Sequence, residues 1–144
     1  SILKRAYIQE RNNKRKSDEV YVAFDRDKMS DNEVAKCVNY AEKIWYKLLF
    51  SSISFEVWIL LHFEEVNRQY TNEQLKRKLS GKDYFNTNYN KFKGNNYDDF
   101  LYDRVADAKN NGDKLLKSNN DIIKDNPYMN ISREIGKIFR TEVF

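Results

Sequence analysis

The sequence predicts an α/β fold, a parallel-stranded core followed by a helical C-terminal portion, and three observations carry that expectation. The run EVYVAF, Glu19 to Phe24, is apolar on both faces, as suits a strand buried on both sides of a parallel sheet. It leads at once into DKMSDNEVAKCVNYAEKIW, where Ser30 and Glu33 have capping-box spacing and Val34, Val38, Ala41 and Trp45 recur at helical intervals. Tyr46 to Phe50 is a second strand-like run, ended by Ser51 and Ser52. Strand, helix and strand make a unit whose right-handed crossover sets the two strands parallel.

The other elements follow in order. Residues 2–11 suit a helix, and NNKRKSD after them is a polar turn. SISFEVWILLHFEEV, Ser52 to Val66, is apolar at nearly every position, so periodicity alone does not separate strand from helix. Its length, with Ser54 as N-cap and Glu56 in the first turn, favours a buried helix. Thr71 and Gln74 open TNEQLKRKLS. Lys82 to Tyr97, rich in Asn, Tyr, Lys and Gly, reads as a long loop. Asp98 to Lys117 sets Leu101, Val105, Ala108, Leu115 and Leu116 on roughly one helical face. A last helix is predicted from about Ile131 to Arg140, after the only proline, Pro127, with Asn130 as N-cap. There are no repeats, and 144 residues fit a single domain, 1–144.

Composition narrows the class. With 40% hydrophobic and 15% aromatic residues the chain can bury a core and is not disordered, and its longest apolar run, Val57 to Leu61, is too short to span a bilayer. One cysteine, Cys37, excludes an intramolecular disulfide and suits a reducing compartment; no secretory signal is visible, and a cytoplasmic location is expected. The net charge of +4 is uneven: residues 1–16 hold six basic residues against the single acid Glu10. Such a run, Lys14, Arg15 and Lys16 above all, is a candidate nucleic-acid-binding patch, although a solvated surface explains the charge as well.

The chemistry-bearing feature is FDRD. Ligands of open α/β sheets gather beyond the carboxyl ends of the strands, where Asp25 and Asp27 fall. Carboxylates two residues apart project to one side if the chain stays extended, and together they can hold a hard cation such as Mg²⁺. The plainer reading is a turn in which Asp27 helps to cap the next helix. Glu56, at a helix start, either stabilises the helix dipole or brings a third carboxylate to the site. His62, the only histidine, lies among leucines and reads first as a core residue, as does Cys37. No Gly-rich phosphate loop, paired-cysteine metal site or Ser-His-Asp order is present.

Three blocks together resemble the RloB-like proteins. VYVAFDRD resembles their strand and acidic turn, SSISFEVWILLHFEE their Ser/Asn-rich turn and the segment after it, and NPYMNISREIGKIF their late Asn-Pro-x-x-Asn helix, in the same order and over about Ile8 to Phe139. RloB-like proteins and the related AbiLii-type abortive-infection proteins are associated with bacterial defence and restriction loci, and their fold resembles the Toprim domain. The resemblance implies a Toprim-like parallel sheet core in residues 1–66, with its N-terminal part missing from this chain, and a mostly helical extension in 67–144. It further implies a Mg²⁺-dependent nuclease, Mn²⁺ being the alternative ion, that acts in phage defence on DNA or RNA.

Residue by residue, Asp25 and Asp27 match the Toprim-type Asp-x-Asp that holds the ion, and with Glu56 they are the catalytic candidates. Arg26 and Lys28 join Lys14, Arg15 and Lys16 as phosphate contacts. Ser51, Phe55, Trp58 and His62 match the second block and Asn126, Pro127 and Asn130 the third, as structural or supporting residues. The glutamate that Toprim domains carry after their first strand would lie before Ser1, and Glu10 stands in the wrong context to replace it. The rival expectation is a non-catalytic component that binds nucleic acid or a partner protein of a defence system.

Overall fold

The structure, a computed structural model, describes residues 2–12 and 19–138. Helix α1 (Ile2–Asn12) precedes strand β1 (Tyr21–Asp25), helix α2 (Asp31–Lys43) and strand β2 (Lys47–Ser52). Then come α3 (Glu56–Leu61), α4 (Asn72–Leu79), the short α5 (Tyr89–Phe92) and α6 (Asp98–Leu101), and a 3₁₀ turn (Tyr102–Arg104). The chain closes with α7 (Val105–Ser118), strand β3 (Tyr128–Met129) and α8 (Ile131–Ile138). Among the described residues no helix is long and apolar enough to cross a membrane.

The strand–helix–strand unit forms as predicted. β1 and β2 are parallel, with Tyr21 opposite Lys47 and Asp25 opposite Ser51. Ser30 caps α2 by accepting from the Glu33 N–H, and the Glu33 carboxylate accepts from the Ser30 N–H in return. Thr71 and Gln74 build the same reciprocal cap on α4. Each such cap removes orphan donors at a helix start and is worth about 1 kcal/mol.

The sheet, however, is mixed, not purely parallel: β3 joins the far side of β2 antiparallel, with Ser51 opposite Met129 and Ser52 opposite Tyr128. Ser51 and Ser52 therefore do not end the strand; they are its last paired residues and are buried. β1 is not buried on both sides either. Only Val22 is fully buried and Ala23 is exposed, because among the described residues β1 is an edge strand. Trp45, placed on the apolar face of the helix by its spacing, is 90% exposed, since the chain leaves α2 at Ile44 and passes through a left-handed turn at Trp45, φ +61°.

Further differences concern the second half. α3 is shorter than the apolar run that contains it, and Phe55, not Ser54, occupies its N-cap without a side-chain bond. The segment expected to be a loop is packed instead. Phe85 lies at the centre of an aromatic cluster, with ring centroids of Tyr89, Phe92, Tyr97, Phe100 and Phe63 within 4.9–5.7 Å. Aromatic pairs at such spacings add about 0.5–1.5 kcal/mol each beyond area burial. The long helix predicted from Asp98 is broken by the 3₁₀ turn before α7. α7 comes so close to α8 that a Cβ on Gly112 would stand 2.6 Å from the Ser132 Cβ, which explains the glycine.

Asn130 does not act as the predicted side-chain cap. Its amide Oδ1 accepts from the Phe50 N–H and its Nδ2 donates to the Leu48 carbonyl, both at 2.8 Å, so the side chain takes the place of a further β3 residue beside β2. The main hydrophobic cluster runs from Val57 to Ile135 and includes all of α3 after Glu56. Smaller clusters fill the space between the sheet and α1 and α2.

Candidate functional site

The carboxyl end of β1 opens on a cavity of about 350 Å³ lined by Asp25, Ser51, Phe55, Leu49 and Ile131 among others. Register brings Asp25 and Ser51 side by side, since parallel neighbours in this sheet present their side chains to the same face. The Asp25 Oδ1 accepts from the Phe55 N–H at 2.9 Å, which fastens the end of β1 to the entry of α3. Burial pushes the Asp25 carboxyl above the ordinary carboxylate range, against the Phe55 N–H and the Lys93 charge; Glu56 and Asp27 add to the rise.

Glu56 follows Phe55 and is 3% exposed. Its carboxylate accepts from the Lys93 ammonium at 2.8 Å and the Tyr89 hydroxyl at 3.4 Å, and Tyr89 also meets Tyr97 at 3.3 Å. Burial works to raise the Glu56 pKa, but the Lys93 ammonium leads the groups that outweigh it and lower the pKa below its ordinary value. Conversely, the Glu56 carboxylate raises Lys93. Tyr89 is pushed well up, by burial first and then by Tyr97 and Glu56. Sequence reasoning missed Lys93, Tyr89 and Tyr97 because they lie in the segment read as a loop. The signal was its aromatic density, too high for a solvated connection.

The acids do not assemble as the Asp-x-Asp spacing suggested. Extended backbone ends at Asp25; Asp27 has φ +48°, is exposed, and donates its N–H to the Ile53 carbonyl at 3.2 Å. Among the described residues no three His, Cys, Asp or Glu side chains stand close enough to share a metal ion. With Asp27 turned into solvent and Glu56 committed to Lys93, the described residues do not fit a divalent cation as they stand.

The remaining candidates are dispersed. Arg26 is a staple: it donates to the Met29 and Ile123 carbonyls and pairs with Asp31, which leaves little of its guanidinium for a phosphate. Lys28 is exposed, whereas Lys14, Arg15 and Lys16 lie outside the described residues. His62 is 4% exposed, its Nδ1 stands 2.8 Å from the Trp58 carbonyl, and its ring meets the Trp58 ring edge-on at 5.0 Å. Burial lowers its pKa and keeps the imidazole neutral. Trp58 and His62 thus belong to the core. In the third block, Pro127 and Asn130 are buried on the β3 side of β2, and the Pro127 carbonyl accepts from Asn119 at 2.8 Å; Asn126, beside them, is half-buried.

A family model described as RloB-like protein matches residues 1–138. No curated protein and no solved structure gives a significant match.

Proposed function

The chain belongs to the RloB-like protein family, a family associated with restriction and abortive-infection systems, and from that premise we propose that it cleaves nucleic-acid phosphodiesters in phage defence, with Asp25 at the reacting centre. The observation that carries this reading is the half-buried Asp25 carboxylate, raised in proton affinity, at the carboxyl end of a parallel strand pair and at the mouth of a cavity. A carboxylate with raised pKa is a better proton acceptor near neutrality than an ordinary one, as deprotonation of an attacking water requires. The half-exposed Lys93 and the exposed Lys28 supply positive charge for a phosphate. The Mg²⁺ or Mn²⁺ that the resemblance implies would need Asp27 turned back beside Asp25, since the described residues do not fit such an ion as they stand, and no step of this reading is routed through it.

One observation favours a second reading, a non-catalytic component that binds nucleic acid or a partner protein: Glu56 is neutralised by Lys93 without any ion. Labelled DNA and RNA, incubated with the protein in Mg²⁺ or Mn²⁺, separate the two. Cleavage that falls at least tenfold in Asp25→Asn supports the nuclease; binding without cleavage in both proteins supports the second reading.

A further inference from the structure

The cavity at the end of β1 is lined for something other than phosphate. Of the side chains that line it only Asp25 and Ser51 are polar; Ala23, Leu49, Phe55 and Ile131 are among the apolar rest, and none of these described residues is cationic. A phosphate inside it would meet hydrocarbon and a carboxylate that repels it. Its volume, about 350 Å³, lies at the small end of the roughly 300–1,000 Å³ that small-molecule pockets span and suits one heteroaromatic ring.

Phe55 supplies the wall that such a ring needs. It occupies the N-cap of α3, where Ser, Thr, Asp or Asn would satisfy an orphan N–H, yet it carries an apolar ring that is 43% exposed. Its N–H donates to Asp25 at 2.9 Å, so the residue that carries the ring is tied to the carboxylate. Ser51, 2% exposed, donates its hydroxyl to the Met129 Sδ at 3.6 Å, and its oxygen is left to accept from a ring N–H or an amino group.

We propose that this cavity takes a nucleobase of an unpaired nucleotide, DNA or RNA, stacked against Phe55, and so brings the backbone that carries the base to Asp25 at the mouth. The inference rests on the reading of Asp25 as the reacting centre and names the substrate class of that site: single-stranded or locally unpaired nucleic acid. A base inside a duplex is stacked and paired, and it reaches the cavity only by being extruded at a cost in free energy. Stacking on an aromatic ring accepts every base, because each has a π-face, so the cavity selects for strandedness more than for sequence. Positive charge for the phosphates of such a strand lies outside the cavity, as on Lys28, exposed in the turn after Asp25.

Fluorescence anisotropy in EDTA at fixed salt tests this with labelled oligo-A strands of DNA and RNA, the same DNA strand paired to its complement, and a backbone of equal length that carries no bases. Wild type should bind the DNA or the RNA single strand, or both, at least tenfold more tightly than the duplex or the abasic backbone. Phe55→Leu, which keeps apolar bulk, should lose at least fivefold on the single strand and nothing on the abasic backbone, while Phe55→Tyr, which keeps the ring, should bind like wild type. Should Phe55→Leu not fold, Ala23→Trp, which fills the cavity from an exposed position on β1, takes its place with the same expected loss. If the duplex or the abasic backbone binds as tightly as the single strands, the contact is to phosphate and the proposal fails. If a folded Phe55→Leu or Ala23→Trp binds the single strands like wild type, the bases are held elsewhere and it fails too, as it does if neither single strand binds. Every arm reads binding without cleavage, so a failure to cleave leaves the base contact standing, and a loss of the base contact leaves the Asp25→Asn assay to decide the nuclease.

Discussion

The β1–α2–β2 unit and the helical half that follows differ in what fills them. Around the two parallel strands the buried residues are scattered small and large side chains, Val22, Val34, Ala41, Tyr46 and Phe50, split between two clusters, and Ala23 on the edge strand is exposed. From Val57 to Ile135 a single cluster joins seven elements, with the Phe85 ring at its centre. The half that carries Asp25 is thus the more sparsely packed, and the half that anchors Glu56 is the more densely packed. A site built across both has one wall of each kind.

Truncation of one ring in each half gives the largest contrast. Phe85→Ala should cost about 3–5 kcal/mol in denaturant unfolding, as for a fully buried ring, whereas Phe24→Ala on the half-buried strand should cost less than half as much. Equal costs would erase the difference between the halves. A smaller effect is expected where they are stitched together. Asn130→Ala leaves the Phe50 N–H and the Leu48 carbonyl without the partners they have now, so a loss of about 2–3 kcal/mol should follow, more than the ~1 kcal/mol of a mere helix cap. A loss near the lower figure would return Asn130 to capping.

The smallest expected effect is set by pH. Glu56 is lowered below its ordinary 4.5 and His62 below its ordinary 6.5, so the stability each contributes is present above that value and lost as pH falls through the folded-state pKa. Asp25 is raised above its ordinary 3.8, so its contribution is present in acid and lost as pH rises through its folded-state pKa. Asp25→Asn should therefore raise the melting temperature at pH 7 slightly, and the gain should shrink toward pH 4 as the wild-type group takes up its proton. A gain that grows in acid would mean that the Asp25 charge is not a burden on the fold.

What could be read from the chain divides along the same line. The capping boxes of α2 and α4 and the parallel strand pair depend on neighbours in sequence, so spacing revealed them. Asp25 and Glu56 were legible because both stand at element ends. Lys93 and Tyr89 were not, because their contacts to Glu56 span the whole of α4 and the connection after it, and nothing local aims them. Trp45 misled because helical spacing continued one step past the point where the chain left the helix. Asn130 misled for a different reason: the carboxamide that caps helices also imitates a peptide group, and only the packed fold chooses between the two.

That imitation has a consequence for how the sheet meets other molecules. A peptide bond offers one donor and one acceptor to a passing strand, and the Asn130 amide already fills both openings on the outer side of β2, at Phe50 and Leu48. Past the two-residue β3 a side chain thus stands where a strand would, and these two backbone groups are closed to a foreign chain. Among the described residues the opposite border of the sheet is β1, the strand that ends in Asp25.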